Sequence, residues 1–258
     1  MKKSLTRIGL FLSMLCVIAL TSCEKNAVPE ISRPPQGPHI KFYNFGLNAP
    51  AVNFYVGNQK VSGVSSTTGV EAAGGTVFGG VYPTTGYSAV PAGGELTART
   101  SPTALTNPGV TIATASGSSL EDGKQYSFYV AGAFDAGTLK ADAFILQDEM
   151  PGNDTSSAFV RFVNAGVAAA GPLTVTLKNQ TNPDQPVITL TSNLAFKSAT
   201  EFTRVPRSLY EVSVKDNTSG FTFVRTGVTF SADRVYTLSM RGNVNIATGR
   251  LIDNTVNR

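Results

Sequence analysis

The chain has 258 residues, 21 of them Lys or Arg and 17 Asp or Glu, for a formal charge of +4. Three of the basic side chains (Lys2, Lys3 and Arg7) and none of the acidic ones precede Cys23, so the balance from Cys23 onward is +1 and offers no basic field for nucleic acid or anionic lipid. One His, two Cys and no Trp exclude a zinc site built from several His or Cys ligands and a disulfide framework.

The first element is a leader. Lys2, Lys3 and Arg7 form a positive start, and an apolar run follows from Ile8 to Leu20. Thirteen residues are too few to cross a hydrocarbon core about 30 Å thick as a helix, which takes about 20 residues. A positive start, a short apolar run and small residues before a break describe a secretory signal peptide over 1–22. The stretch Leu20-Thr21-Ser22-Cys23 resembles a bacterial lipobox. That resemblance implies cleavage before Cys23 and acylation of its sulfur, whereas Cys16 leaves with the peptide. A buried methylene contributes about 0.8 kcal/mol, so one palmitoyl-length chain supplies roughly 11 kcal/mol and two or more give a durable membrane anchor. Without Cys16, no internal disulfide can form, and the fold must stand on its hydrophobic core.

Residues 23–38 form a tether. Pro29, Pro34, Pro35 and Pro38 keep it from helix or central strand, and extended chain of that length reaches roughly 45 Å at most.

From 39 the chain repeats itself. "IKFYNFG" at 40–46 corresponds to "VRFVNAG" at 160–166, and "AVNFYV" at 51–56 to "PLTVTL" at 172–177. "YSAVPAGGELTART" at 87–100 answers "FTRVPRSLYEVSVKD" at 202–216, and "LEDGKQYSFYVAG" at 120–132 answers "FSADRVYTLSMRG" at 230–242. Two units are expected, 39–148 and 158–258, joined by a linker over 149–157. Tyr126, Phe128 and Val130 alternate, as do Tyr236, Leu238 and Met240, which predicts half-buried antiparallel strands. No helical period competes. The fold class is all-β, with two tandem immunoglobulin-like sandwiches and a barrel as the alternative. The Gly-rich stretch 65–86 reads as a flexible excursion of the first unit.

"VRFVNAG", the "VPAG" turn at 90–93 and "GKQYSFYVAG" at 123–132 resemble the bacterial domain of unknown function DUF4397, in two copies. The second copy departs at the turn, where Arg207-Ser208 replace Ala92-Gly93. The resemblance implies extracytoplasmic, often surface-attached β-rich modules and supplies no catalytic residues. With a lipidated Cys23 it is similar to many lipoproteins of the Bacteroidota, which implies the cell envelope, and the outer membrane in particular.

Chemistry-bearing residues are sparse. His39, the single His, has no second histidine or nucleophile beside it in sequence and reads as an ordinary surface residue. The carboxylate pairs Glu121/Asp122 and Asp148/Glu149 stand in or beside turns, where acidic residues are solvated; a glycoside hydrolase using such a pair is the outlying reading. Asp148, Glu149, Asn153 and Asp154 cluster in the linker as calcium candidates without EF-hand spacing. Phe78, Tyr82 and Tyr87 are candidate ligand contacts, able to stack on a sugar or peptide if presented by their loop. The expectation is a non-enzymatic lipoprotein, without cofactor, that binds a protein or glycan or serves assembly, with 65–86 and 101–120 as contact loops. The alternative is a glycan-binding accessory protein of a nutrient-uptake system.

Overall fold

A computed structural model describes residues 37–62, 74–167 and 171–258. The leader, Cys23 and most of the tether lie outside the described residues, as does 63–73. Among the described residues there are seventeen strands and no helix.

The first half holds β1 (His39–Asn44), β2 (Val52–Val56), β3 (Gln59–Lys60), β4 (Gly80–Tyr82), β5 (Ser88–Ala89), β6 (Leu96–Thr100), β7 (Thr111–Ala115), β8 (Gln125–Asp135) and β9 (Lys140–Gln147). The second holds β10 (Ser157–Asn164), β11 (Leu173–Asn179), β12 (Ile188–Leu194), β13 (Thr203–Pro206), β14 (Ser208–Asp216), β15 (Thr222–Phe230), β16 (Val235–Arg241) and β17 (Leu251–Val256). Each half is two packed sheets. The first pairs β4-β1-β8-β9, with β5 also on β1, against β3-β2-β6-β7; the second pairs β13-β10-β16-β17 against β12-β11-β14-β15. The orders correspond except at β4, whose place in the second half is taken by an isolated bridge between Val163 and Ala199. The Gly-rich excursion closes into this scheme, since β4 pairs antiparallel with β1 (Phe42 opposite Tyr82).

The sheets are antiparallel except at one place in each half. β1 runs parallel to β8 with Phe42 beside Phe128, and β10 runs parallel to β16 with Phe162 beside Leu238. Strands buried on both faces read as near-continuous apolar runs, and "IKFYNF" and "YSFYVA" are such runs. One face of β1 and β8 (Ile40, Phe42, Phe128, Val130) packs on Val52, Phe54, Leu96 and Ala98 of its own sandwich. The opposite face (Tyr43, Phe45, Tyr129, Ala131) packs on Val163 and Ala165 of the second half. The four sheets thus form four layers, and the two inner ones are buried on both sides, not half-buried as the alternation predicts. The second half keeps its own core on Val160, Phe162, Val175, Val212 and Leu238.

Tyr126 and Tyr236 do the same work in each half. The Tyr126 hydroxyl accepts from the amide of Glu121 at 3.0 Å, and Tyr236 from Ser231 at 3.1 Å. This ties the loop before the strand to the strand itself, much as a tyrosine corner does in immunoglobulin-like sandwiches.

Both halves point the same way. The chain enters at Gly37, beside Asp122 and Gly123. The same end carries the 148–157 segment and residues 256–258, because Arg258 donates to the carbonyls of Pro151 and Gly152 at 2.9 and 3.3 Å. At the far end lie the β1–β2, β6–β7 and β8–β9 connections, and, beside Leu47 and Phe78, Arg241 and Gly249 of the second half.

Candidate functional site

Two places concentrate unusual chemistry, the junction between the inner sheets and a cavity at the far end.

Arg161 on β10 and Asp148 just past β9 form an ion pair across the junction at 2.7 Å, both side chains almost wholly buried. Asp148 Oδ2 also accepts from Tyr87 at 2.6 Å and from Ser127 at 2.7 Å. Arg161 Nε donates to Thr237 at 3.0 Å, Nη2 donates to Ser127 at 3.2 Å, and the guanidinium lies 4.7 Å over the Phe202 ring. Asn257 donates to the Tyr87 hydroxyl at 2.6 Å. Lys41, the β1 counterpart of Arg161, is fully buried and donates to the carbonyl of Val256 at 2.7 Å. Below this polar layer Tyr129 stacks between Tyr43 (4.2 Å) and Phe144 (5.0 Å), and its hydroxyl meets Ser239 at 3.3 Å.

Burial governs the ionisation here. It pushes Lys41 down to about 8, only partly opposed by the charge of Asp148. For Arg161 burial is the largest effect and lowers the pKa, but the charge of Asp148 together with Tyr129, Tyr43 and Tyr87 brings the net shift upward. Burial raises Tyr129 to about 12, and burial followed by the Asp148 charge holds Tyr87 far above an ordinary phenol. Asp148, Arg161, Ser127, Thr237, Tyr87 and Asn257 are joined in one network of ion pair and hydrogen bonds, while the Tyr43 hydroxyl and Asn257 Oδ1 are buried without a hydrogen-bond partner. These contacts lock the two halves together.

The calcium candidates do not converge. Asp148 is 3% exposed and engaged with Arg161, contrary to the solvated turn expected for it. Glu149 is exposed and, with Glu201, lines a groove of about 240 Å³. Asn153 is exposed, and Asp154 pairs with Arg204 at 2.5 Å while accepting from Ser156. The hydrogen bonds that Asp154 accepts from Ser156, before the contribution of Arg204, hold its carboxyl well below the usual range. No group of three His, Cys, Asp or Glu side chains among the described residues is placed to hold a metal.

The aromatic candidates are also dispersed. Tyr87 belongs to the junction, Tyr82 packs against the first core, and Phe78 at the far end is covered by the Arg241 guanidinium at 4.6 Å. They form no shared platform. His39 is partly exposed at the start of β1, where its amide donates to Lys124. Of the pair Glu121/Asp122, Asp122 is taken by the Gly37 amide.

Of the second place the sequence marked only the 101–120 contact loop, which supplies Thr106, Asn107 and Val110. At the far end of the first half lies a cavity of about 310 Å³, lined by Asn48, Pro50, Thr100, Thr106, Asn107, Val110, Phe134, Ala136 and Leu139. Its three walls are the β1–β2, β6–β7 and β8–β9 connections. Each is tied down. Leu47 donates to Gly132 at 2.7 Å, Phe134 to Leu47 at 2.9 Å, and Val110 to the Thr100 hydroxyl at 2.8 Å. Gly132, at φ 70°, turns β8 out of register with β9 between Ala131 and Asp135, and this bulge carries Phe134 to the cavity wall.

Three of the five described non-glycine residues with positive φ line this one cavity: Asn48 (63°), Asn107 (50°) and Leu139 (57°). Asn tolerates the left-handed region, but for Leu it is costly. Such residues persist where the surroundings over-determine them, and they gather at ligand sites. A sequence offers little to find them by, because an Asn in a loop is common and Leu139 gives no sign of its conformation.

The far end also gathers exposed apolar side chains. Val77, Leu105, Phe221, Ile246 and Leu251 all stand there, Leu105 fully in solvent.

Comparison with curated proteins finds no match. Among solved structures, a candidate cell adhesion protein from Bacteroides ovatus ATCC 8483 aligns at 10% identity and a TM-score of 0.28, over 86% of this chain and 97% of that one. A CBM26-family module from Eubacterium rectale Amy13K in complex with maltoheptaose aligns at 10% identity and a TM-score of 0.22, over 85% and 95%. Scores that low carry no argument about function. The family comparison is different in kind. The model described as "Domain of unknown function (DUF4397)" matches residues 38–176, one interval that begins at β1 and runs across the 149–157 segment into β11. The chain belongs to the DUF4397 family.

Proposed function

We propose that the protein is a non-enzymatic, lipid-anchored binding protein of the cell envelope that presents its far-end loops away from the membrane. The observation that carries this is the far-end cavity, with three rigid walls and three non-glycine residues held in left-handed backbone. Recognition surfaces are commonly loops set on a rigid scaffold. The four-layer body, locked by Arg161 and Asp148, is such a scaffold.

Orientation supports the same reading. The chain enters the body at Gly37, at the end opposite the cavity. An acyl anchor on Cys23 would be joined to the body through Gly37, at that same end. The carboxylates give little support to hydrolysis: Asp148 is consumed by Arg161, and no carboxylate lines the cavity.

Two experiments test the two parts. Cys23→Ala should release the protein from membranes; a variant that still sediments with membrane after a carbonate wash would contradict the anchor. For the binding face, a photo-crosslinking residue is placed at Leu105 (far end) or at Leu209 (entry end) in intact cells. Adducts from position 105 and not from 209 are expected, and equal labelling from both would contradict the assignment.

A further inference from the structure

The geometry points to a neutral saccharide unit as the ligand of the far-end cavity, held by Asn48, Thr106 and Asn107 against an apolar wall that includes Phe134 and Leu139. This rests on the far-end reading above and adds the ligand class.

The lining has a specific chemical character. None of its nine side chains is ionisable. Lys140 and Asp135, the nearest charged residues on the β8–β9 connection, are engaged elsewhere. Lys140 donates to the carbonyl of Thr111 at 2.9 Å, and Asp135 accepts from Gly137 at 2.8 Å. A phosphate, carboxylate or ammonium would find no counter-charge among the lining side chains, and a charged ligand desolvated without one is strongly penalised. The ligand is therefore neutral.

It is also amphipathic. Pro50, Val110, Phe134 and Leu139 offer carbon surface. Of the four polar side chains, Thr100 is committed to its own loop, accepting from Val110 and donating to the carbonyl of Asn107. The side chains of Asn48, Thr106 and Asn107 make no hydrogen bond among the described residues; the bond from Thr100 goes to the Asn107 backbone. Each carboxamide provides two donor hydrogens and a two-lone-pair acceptor, and each hydroxyl can donate and accept. Adjacent sugar hydroxyls need that mixture, while the C–H face of a pyranose needs the apolar wall. The volume lies at the low end of small-molecule sites, suited to a terminal unit or two of a chain rather than to a protein loop.

The backbone cost supports the same conclusion. Glycine would occupy the positions of Asn48 and Asn107 with less strain. Asn keeps a carboxamide at the cavity rim in spite of that strain. The walls are fixed beforehand by the hydrogen bonds of Leu47, Phe134 and Val110, so little ordering remains to be done on binding.

The test uses the full chain in zwitterionic micelles, free of sugar detergents. Amide NMR spectra are recorded against a panel of neutral methyl glycosides and short neutral oligosaccharides, and in parallel against capped neutral tripeptides. Saturable shifts centred on Asn48, Asn107 and Leu139 with at least one saccharide are expected. Asn107→Gly should weaken that binding tenfold or more without lowering the melting temperature, because glycine accepts the backbone conformation. Binding of tripeptides alone, equally sensitive to Asn107→Gly, would overturn the ligand class and leave the site. No probe of either kind at these residues, or binding indifferent to Asn107→Gly and Asn48→Gly, would overturn both.

Discussion

Replacing Asp148 by Asn removes the carboxylate paired with the Arg161 guanidinium while leaving that guanidinium almost wholly buried. Breaking a buried pair from one side costs about 3–5 kcal/mol, because the remaining charge is stranded. Urea denaturation of Asp148→Asn should show a loss of that size, and adding Arg161→Met should recover most of it. A loss under 1 kcal/mol would mean that water reaches the junction. Lys41 adds a pH signature. Its folded value near 8 lies below the unfolded 10.5, so between those values the unfolded chain holds more protons and stability rises with pH. Tyr43, Tyr87 and Tyr129 are shifted upward, so above about 10 the unfolded chain releases phenolic protons that the folded one retains, and stability falls. Melting temperature should therefore climb from pH 8 toward 10 and drop beyond it. In Lys41→Met the climb should vanish and the drop remain.

At the scale of elements, the strands were legible in the sequence and their partners were not. Tyr126, Phe128 and Val130 mark one face of β8 by alternation. The intervening Ser127, Tyr129 and Ala131 look like a solvent face, because a polar side chain satisfied across an interface has the same sequence signature as one in water. Ser127 is satisfied by Arg161 and Asp148, which come from outside its own strand. The parallel β1–β8 and β10–β16 pairs were hidden for a related reason, since parallel pairing joins strands separated by some eighty residues. The cavity was the least legible. Its walls come from three connections, and its defining property is a backbone angle. That property gives a prediction. Leu139 at φ 57° carries strain of about 1–2 kcal/mol, and glycine's greater unfolded freedom costs about 0.5–1. Leu139→Gly should leave stability unchanged or raise it by up to about 1 kcal/mol, roughly 2–4 °C in melting temperature. A clear loss of stability would show that the Leu139 side chain contributes packing greater than its strain.

Over the described residues two sandwiches of similar strand order pack on each other. Lys41 on β1 and Arg161 on β10 occupy equivalent positions, and each reaches across to the last strand of the other half's inner sheet or just beyond it: Lys41 to Val256 on β17, and Arg161 to Asp148 after β9. Ser127 and Thr237, also equivalent, both meet Arg161. This is the reciprocal pattern of a two-fold interface, contained within one chain. Expression of residues 24–152 and 153–258 as separate chains in the same cytosol should yield fragments that co-purify, because the second face of each inner sheet is buried only against the other half. Fragments that remain monomeric and soluble apart would show that the junction contributes little. The same pairing sets both halves' outer loops at one end, opposite the chain's entry, and the claim that this end does the binding is the one on which the functional account stands. Hydrogen–deuterium exchange of the full chain, with and without a neutral oligosaccharide mixture, tests it most directly. The account predicts protection confined to 45–50, 101–110 and 134–140; protection instead at the 148–157 segment or at 256–258, with those loops unchanged, would contradict it.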